Sequence, residues 1–218
     1  MVRKQIVTLL ATAAFAAYTY GQGTVNFNTQ NLGTSARVTD AVEYGSELLG
    51  SAFNGDGTNF FAQLYAAAGT GVASSSLSAV GVAINFRAGA NAGYVITSGT
   101  TSMGVALTPS PPGPGSVVTI NSLAAGGPAT IQMRAWWGAG NQITTYESAA
   151  AQLGTGVIRI GNSDPFNLLA TGDPTASPAT QPVALTGLVG FQLYVPEPST
   201  MALAGLGAAA LLLFRRRK

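Results

Sequence analysis

The clearest pattern in the chain is strict alternation between Thr130 and Trp137. Ile131, Met133, Ala135 and Trp137 share one parity, and Thr130, Gln132, Arg134 and Trp136 share the other. Period two predicts a strand with one set directed inward and the other toward solvent. Similar short runs predict strands at Thr24–Asn28, Asn59–Ala66, Ala79–Phe86, Gly93–Thr97, Val117–Asn121, Gly156–Ile160 and Leu185–Tyr194. Turn chemistry separates them at Asn54-Gly55-Asp56-Gly57, Ala90–Gly93, Gly126-Gly127-Pro128 and Thr171–Pro174. Glu147–Leu153 carries the only helical pattern between residues 22 and 194. Many short strands with frequent turns predict an all-β, antiparallel sandwich or jelly-roll-like domain over residues 22–194. Pro109–Gly115 and Asp173–Pro182 read as exposed connections within it.

Two stretches break this pattern. Met1–Lys4 is positive, Ile6–Ala17 is apolar, and Thr19–Gly23 is polar and small. That order predicts a secretory signal peptide over residues 1–21, handed to the Sec translocon, with cleavage after Gly21 or alternatively after Ala17. At the other end, Val195-Pro196-Glu197-Pro198-Ser199 precedes an apolar run to Phe214, and then Arg215, Arg216, Arg217 and Lys218. Ser199–Phe214 gives roughly 24 Å of helix, short of a hydrocarbon core of about 30 Å. The cationic cluster behind it compensates, because long basic stems snorkel and basic residues are retained on the cytoplasmic side. A helix over residues 200–214 is therefore expected to act as a transient inner-membrane anchor, with residues 215–218 as its basic stop.

Composition changes the picture in two ways. The formal net charge is +2 with a pI near 9.1, which invites a nucleic-acid reading. However, six of the ten basic residues lie at the two ends. Residues 22–195 hold Arg37, Arg87, Arg134 and Arg159 against Asp40, Glu43, Glu47, Asp56, Glu147, Asp164 and Asp173, a net of −3. No basic patch is left to hold phosphates, so no nucleic-acid partner is expected. The chain also has no Cys and no His, and its only lysines are Lys4 and Lys218. Disulfides, His- or Cys-ligated metals, Schiff bases and the Ser-His-Asp, Cys-His and Ser-Lys nucleophiles are excluded. No phosphate-binding glycine loop is present, and no cofactor is expected.

Some candidate chemistry survives. Glu43 and Glu47 share a face in either a helix or a strand and offer the carboxylate pair of a glycoside hydrolase, although a solvated pair explains them better. Asn54–Asn59 supplies hard oxygens for calcium but lacks the remaining ligands of an EF-hand loop, and a hairpin turn accounts for it. Trp136 and Trp137 are adjacent, so one is expected to be buried and the other exposed. Parity with Ile131 and Met133 assigns Trp137 inward. Trp136, with Tyr146, is then the candidate sugar contact, a flat ring stacking on pyranose C–H bonds.

The tail, with Pro196-Glu197-Pro198, one short apolar span and a terminal Arg cluster, closely resembles the PEP-CTERM sorting signal of exported proteins in biofilm- and exopolysaccharide-producing Gram-negative-type bacteria. The resemblance covers Val195–Lys218. It implies that a membrane protease-transpeptidase, exosortase, recognises the motif and removes the tail, leaving the mature form at the cell surface or in the extracellular matrix. Pieces of the body are similar to PEP-CTERM proteins of unknown function from verrucomicrobial-type bacteria: Gly23–Phe27, Phe61–Tyr65, Met133–Trp136, Gly161–Phe166 and Gly187–Leu193. That similarity implies a β-rich domain and supplies no catalytic residues. The resulting expectation is a non-catalytic exported surface or matrix protein associated with exopolysaccharide. A carbohydrate-binding module is the alternative and a carboxylate glycosidase the remote one.

Overall fold

The computed structural model describes residues 21–30, 36–42, 45–48, 59–109, 116–153 and 158–194, with backbone only at 40–42 and 45–48. The expected signal segment up to residue 20, the sorting motif Val195–Ser199, the anchor 200–214 and the stop Arg215–Lys218 lie outside the described residues. So do Glu43, the Asn54–Thr58 part of the oxygen-rich turn, and residues 110–115 of the Pro-rich connection. Among the described residues no helix is long and apolar enough to cross a membrane.

Strands dominate. In chain order they are β1 (Gln22–Phe27), β2 (Val38–Val42), β3 (Gly45–Leu48), β4 (Phe60–Ala68), β5 (Ser78–Asn85), β6 (Ser116–Ala124) and β7 (Ala129–Trp137). After the short helix α1 (Tyr146–Ala150) come β8 (Ile160–Asn162), β9 (Phe166–Leu168), β10 (Val183–Ala184) and β11 (Phe191–Leu193). They form three sheets, ordered β10-β1-β6, β11-β2-β3 and β5-β4-β7-β8, with β9 pairing β7 beyond β8. Among the described residues no sheet closes into a barrel.

The fold is all-β, but the expectation of purely antiparallel pairing is corrected. β1 pairs β10 in parallel, and β2 pairs β11 in parallel. Each parallel partner returns from the far end of the chain, beyond the reach of a hairpin. Boundaries shift as well. The expected strand Gly93–Thr97 contributes one isolated bridge, Phe86 to Val95. Leu185–Tyr194 is split, because Thr186 and Leu188 turn the chain back onto Ala184 and Leu185 before β11 begins. The helix is α1 rather than Glu147–Leu153. It starts where the Thr145 hydroxyl accepts the Ser148 N–H at 3.1 Å, which caps one of the four unpaired donors of its first turn. Asp173–Pro182 is a largely exposed connection, as expected.

The main core lies between the β1–β6 layer and the β4–β7 layer. Val25, Phe27, Val118 and Ile120 from the first meet Phe60, Leu64, Ile131 and Met133 from the second. Here the period-two reading of β7 holds for Ile131, Met133 and Ala135, which are buried, whereas Trp137 at the end of the strand is partly exposed. Along β4 the register shifts between Ala62 and Leu64 opposite β5. Gly81 absorbs the shift with φ of 64°, and an added Cβ there would press on the Val118 side chain at 2.9 Å. Thr24 Oγ1 and Asn26 Oδ1 on β1 are buried without a hydrogen-bond partner among the described residues.

The second correction concerns the other face of β7. It is covered rather than solvated: Thr130 and Gln132 are each 1% exposed and Trp136 is fully buried. A second apolar cluster of Phe61, Ala83, Trp136, Ile143, Ala149, Ile158 and Ile160 lies there, capped by α1 and the chain around it.

Candidate functional site

That second face carries a connected group of polar and aromatic side chains. Directly paired residues of antiparallel strands present their side chains to the same face. Pairing of Phe61 with Trp136, Gln63 with Arg134 and Tyr65 with Gln132 therefore places all six on it. Trp136 pairs Ile160, and Ile160 bridges Tyr194, which carries the same face across to the end of β11.

Arg134 is the centre of the group. Its guanidinium carbon lies 3.9 Å from the Tyr65 ring centroid and 5.3 Å from that of Tyr146. Its Nε donates to Gln132 Oε1 at 2.9 Å, its Nη2 to the Ser74 carbonyl at 2.8 Å, and its Nη1 lies 3.8 Å from Glu147 Oε1. Gln132 is held in turn by the Ser74 hydroxyl, which donates to its Oε1 at 2.8 Å. Its own Nε2 donates to the Ser163 carbonyl at 2.8 Å. The Tyr65 hydroxyl donates to Glu147 Oε1 at 2.6 Å. Burial first, then that hydrogen bond, pushes the Tyr65 phenol above the ordinary tyrosine range. Burial also raises Tyr146, helped by the neighbouring Tyr194 phenol.

This arrangement fastens α1 to the sheet. Arg134 reaches three separate parts of the chain at once, with all three guanidinium nitrogens engaged, and the cation–π contact to Tyr65 adds to that hold. The Glu147 ion pair contributes little by itself, because the Glu147 side chain is 61% exposed and Nη1 stands at 3.8 Å. The Tyr65 proton is held more tightly than usual rather than less, the opposite of what activates a phenol as a nucleophile.

The two sugar-contact candidates separate. Trp136 is corrected: it is 0% exposed, its indole N–H donates to the Ile143 carbonyl at 2.9 Å, and its ring lies 5.7 Å from Phe61 and 6.4 Å from Tyr146. Trp137 is the partly exposed member of the pair and packs against both apolar clusters. Tyr146 is half-buried, edge-on to Tyr65 at 6.2 Å. The aromatic that reaches solvent on this face is Tyr194, 48% exposed, which the sequence reading did not single out. Its only signal there was its place at the last polar–apolar step before Val195. For Glu47 the structure describes backbone alone, paired with Asp40. Among the described residues no group of three acidic, His or Cys side chains gathers to hold a metal.

A groove of about 370 Å³ between β5 and β6 is lined by aliphatic and neutral polar residues, Val82, Leu107, Thr119 and Asn121 among them, and has no ionisable group.

A protein-family profile described as the PEP-CTERM protein-sorting motif matches residues 195–218. No curated protein and no solved structure matches the chain. The motif begins at the residue after Tyr194. It supports exosortase-dependent sorting of an exported protein, made as a membrane-anchored precursor.

Proposed function

We propose that the chain is a non-catalytic protein of the cell surface or extracellular matrix, associated with exopolysaccharide or biofilm. Its body, residues 22–194, is a single jelly-roll-like sandwich. A signal peptide over residues 1–21 delivers it to the Sec translocon, and residues 200–214 hold it in the inner membrane, with Arg215–Lys218 on the cytoplasmic side. Exosortase then acts at Val195–Ser199. The match at residues 195–218 is the observation that carries this reading. The test is fractionation of a producing strain that expresses the chain with and without Val195–Lys218. The full precursor should partition with membranes and its mature form outside the cell. Unchanged membrane association of the truncated form defeats the trafficking part.

A second reading, carbohydrate binding, is favoured by the aromatic side chains at the edge of the second face. Tyr194 offers a half-exposed ring beside Tyr146, and the exposed Glu147 carboxylate lies next to them. Ring stacking plus a planar acceptor suits a pyranose. Retention on polysaccharide columns should fall for Tyr194→Ala. Equal retention of both proteins on every glycan tested removes this reading.

A further inference from the structure

The sorting motif starts with no spacer after the fold. β11 is held on one side by β2, where Phe191, Gln192 and Leu193 pair with Val38, Thr39 and Asp40. On its other side Tyr194 exchanges two backbone hydrogen bonds with Ile160. The Tyr194 N–H donates to the Ile160 carbonyl at 2.9 Å, and the Ile160 N–H donates to the Tyr194 carbonyl at 3.2 Å. Pro196 follows Tyr194 by two residues, at most about 7 Å of extended chain.

Proteases and other peptide-binding proteins engage extended segments by making backbone hydrogen bonds along them, as an added strand does. At Tyr194 those donors and acceptors are already spent on β8. We infer that the Tyr194–Ile160 bridge is a latch that sets how fast exosortase removes the tail. The Tyr194 backbone becomes available for such pairing only when it leaves β8. Leu193 marks where that release ends, because its side chain is fully buried in the main core and its backbone pairs Asp40. Opening is therefore confined to one residue and two hydrogen bonds. Gly161 keeps the latch tight. A Cβ there would lie 2.6 Å from the Gln192 carbonyl oxygen and 2.9 Å from Leu193 Cδ2, so only glycine lets β11 approach β8 this closely.

This rests on exosortase processing as read above, and the test separates the two. The full chain is expressed in a host with a working exosortase, and conversion of precursor to mature form is followed by pulse-chase with mass spectrometry of the mature C-terminus. Inserting about six Gly/Ser residues between Tyr194 and Val195 adds roughly 13 Å of average reach without touching the body. Conversion should then accelerate by at least about fivefold, the low end for two backbone hydrogen bonds that no longer need to open. Gly161→Ala, which forces β11 off β8 while leaving the motif untouched, should accelerate it in the same direction. Equal rates for wild type and the insertion variant overturn the latch. Slower conversion of the insertion variant overturns it as well, since the fold would then be presenting the motif rather than withholding it. Failure of every form to be cut, in a host that processes another PEP-CTERM substrate, defeats the processing reading and the latch with it.

Discussion

Trp136→Ala is the substitution that most directly tests the packing on the second face of β7. The indole is fully buried between Phe61 and Tyr146, and its N–H is the partner of the Ile143 carbonyl. Truncating a buried Trp to Ala costs about 3–5 kcal/mol, through lost transfer free energy and the cavity left behind. Within that loss, the Ile143 carbonyl surrenders a hydrogen bond worth about 1 kcal/mol net. Trp136→Phe separates the two contributions: it keeps most of the apolar contact with Phe61 and loses the indole donor, so about 1–2 kcal/mol is expected. A domain of this size typically has 5–15 kcal/mol of stability, so the Ala variant should still fold, with its melting temperature lowered by about 6–20 °C. Chemical denaturation followed by circular dichroism of the mature protein measures this. Fluorescence gives a second reading, because the chain has two tryptophans and removal of the buried one leaves the partly exposed Trp137 with red-shifted emission. A loss below about 1 kcal/mol for Trp136→Ala, a fraction of the buried-Trp range, would refute the packing argument. It would restore Trp136 to the exposed position that its parity in β7 suggested.

Thr24→Val should be neutral or stabilising by up to about 1 kcal/mol in the same denaturation assay, since it replaces a buried hydroxyl without a described partner by a methyl of equal size. Tyr65→Phe should cost about 1 kcal/mol near neutral pH through loss of the hydrogen bond to Glu147. Folding raises the Tyr65 pKa above its ordinary 10.0, so its contribution is complete below pH 10 and declines above it as the unfolded chain ionises first. The stability gap between the two proteins should narrow between pH 10 and 11, and a gap that widened there would contradict the assignment. Mass spectrometry of the mature protein should find its C-terminus near Pro196–Ser199, without Met201–Lys218. Glu197→Ala should accumulate the uncut, membrane-bound form, and normal processing of that variant would show that the motif carboxylate is not read.

The strands that sequence pattern reached are those whose signal is local. β1, β4, β5, β6 and β7 each combine a run of β-forming residues with turn residues close by, and Gly126-Gly127-Pro128 turns the chain from β6 in one sheet to β7 in the other, where a turn was expected. β2, β3, β9 and β10 were missed for the opposite reason. They are two to five residues long, and β2 finds its partner β11 about 150 residues away in the chain. A pairing of that separation leaves no mark on the period of either segment.

The error at Trp136 has a different physical source. Period two reports that the faces of a strand differ in polarity, and says nothing of what packs on each. On β7 the polar face is buried because each polar side chain has a partner there. Thr130 accepts the Val72 N–H and donates to the Gly69 carbonyl, and Gln132 bonds Ser74 and Ser163. Burial of hydroxyls and amides costs little once they are paired. A face of Thr, Gln and Arg is therefore as compatible with an inner layer as with solvent. The deciding information sat elsewhere, in Ala149 of α1 and in Ile143 and Ile158 on either side of it, with nothing in their own spacing to say which surface they cover. The tail is the opposite case. Its motif, apolar run and basic cluster are contiguous and legible from composition and order alone, and the family profile matched the same boundaries, 195–218. Tyr194 stands at the junction of the two regimes. Its position beside the motif is readable from the chain, whereas its bond to Ile160 becomes visible only once β8 and β11 meet in space. A residue of that kind can link folding of the body to removal of the tail, and neither half of its role is apparent without the other.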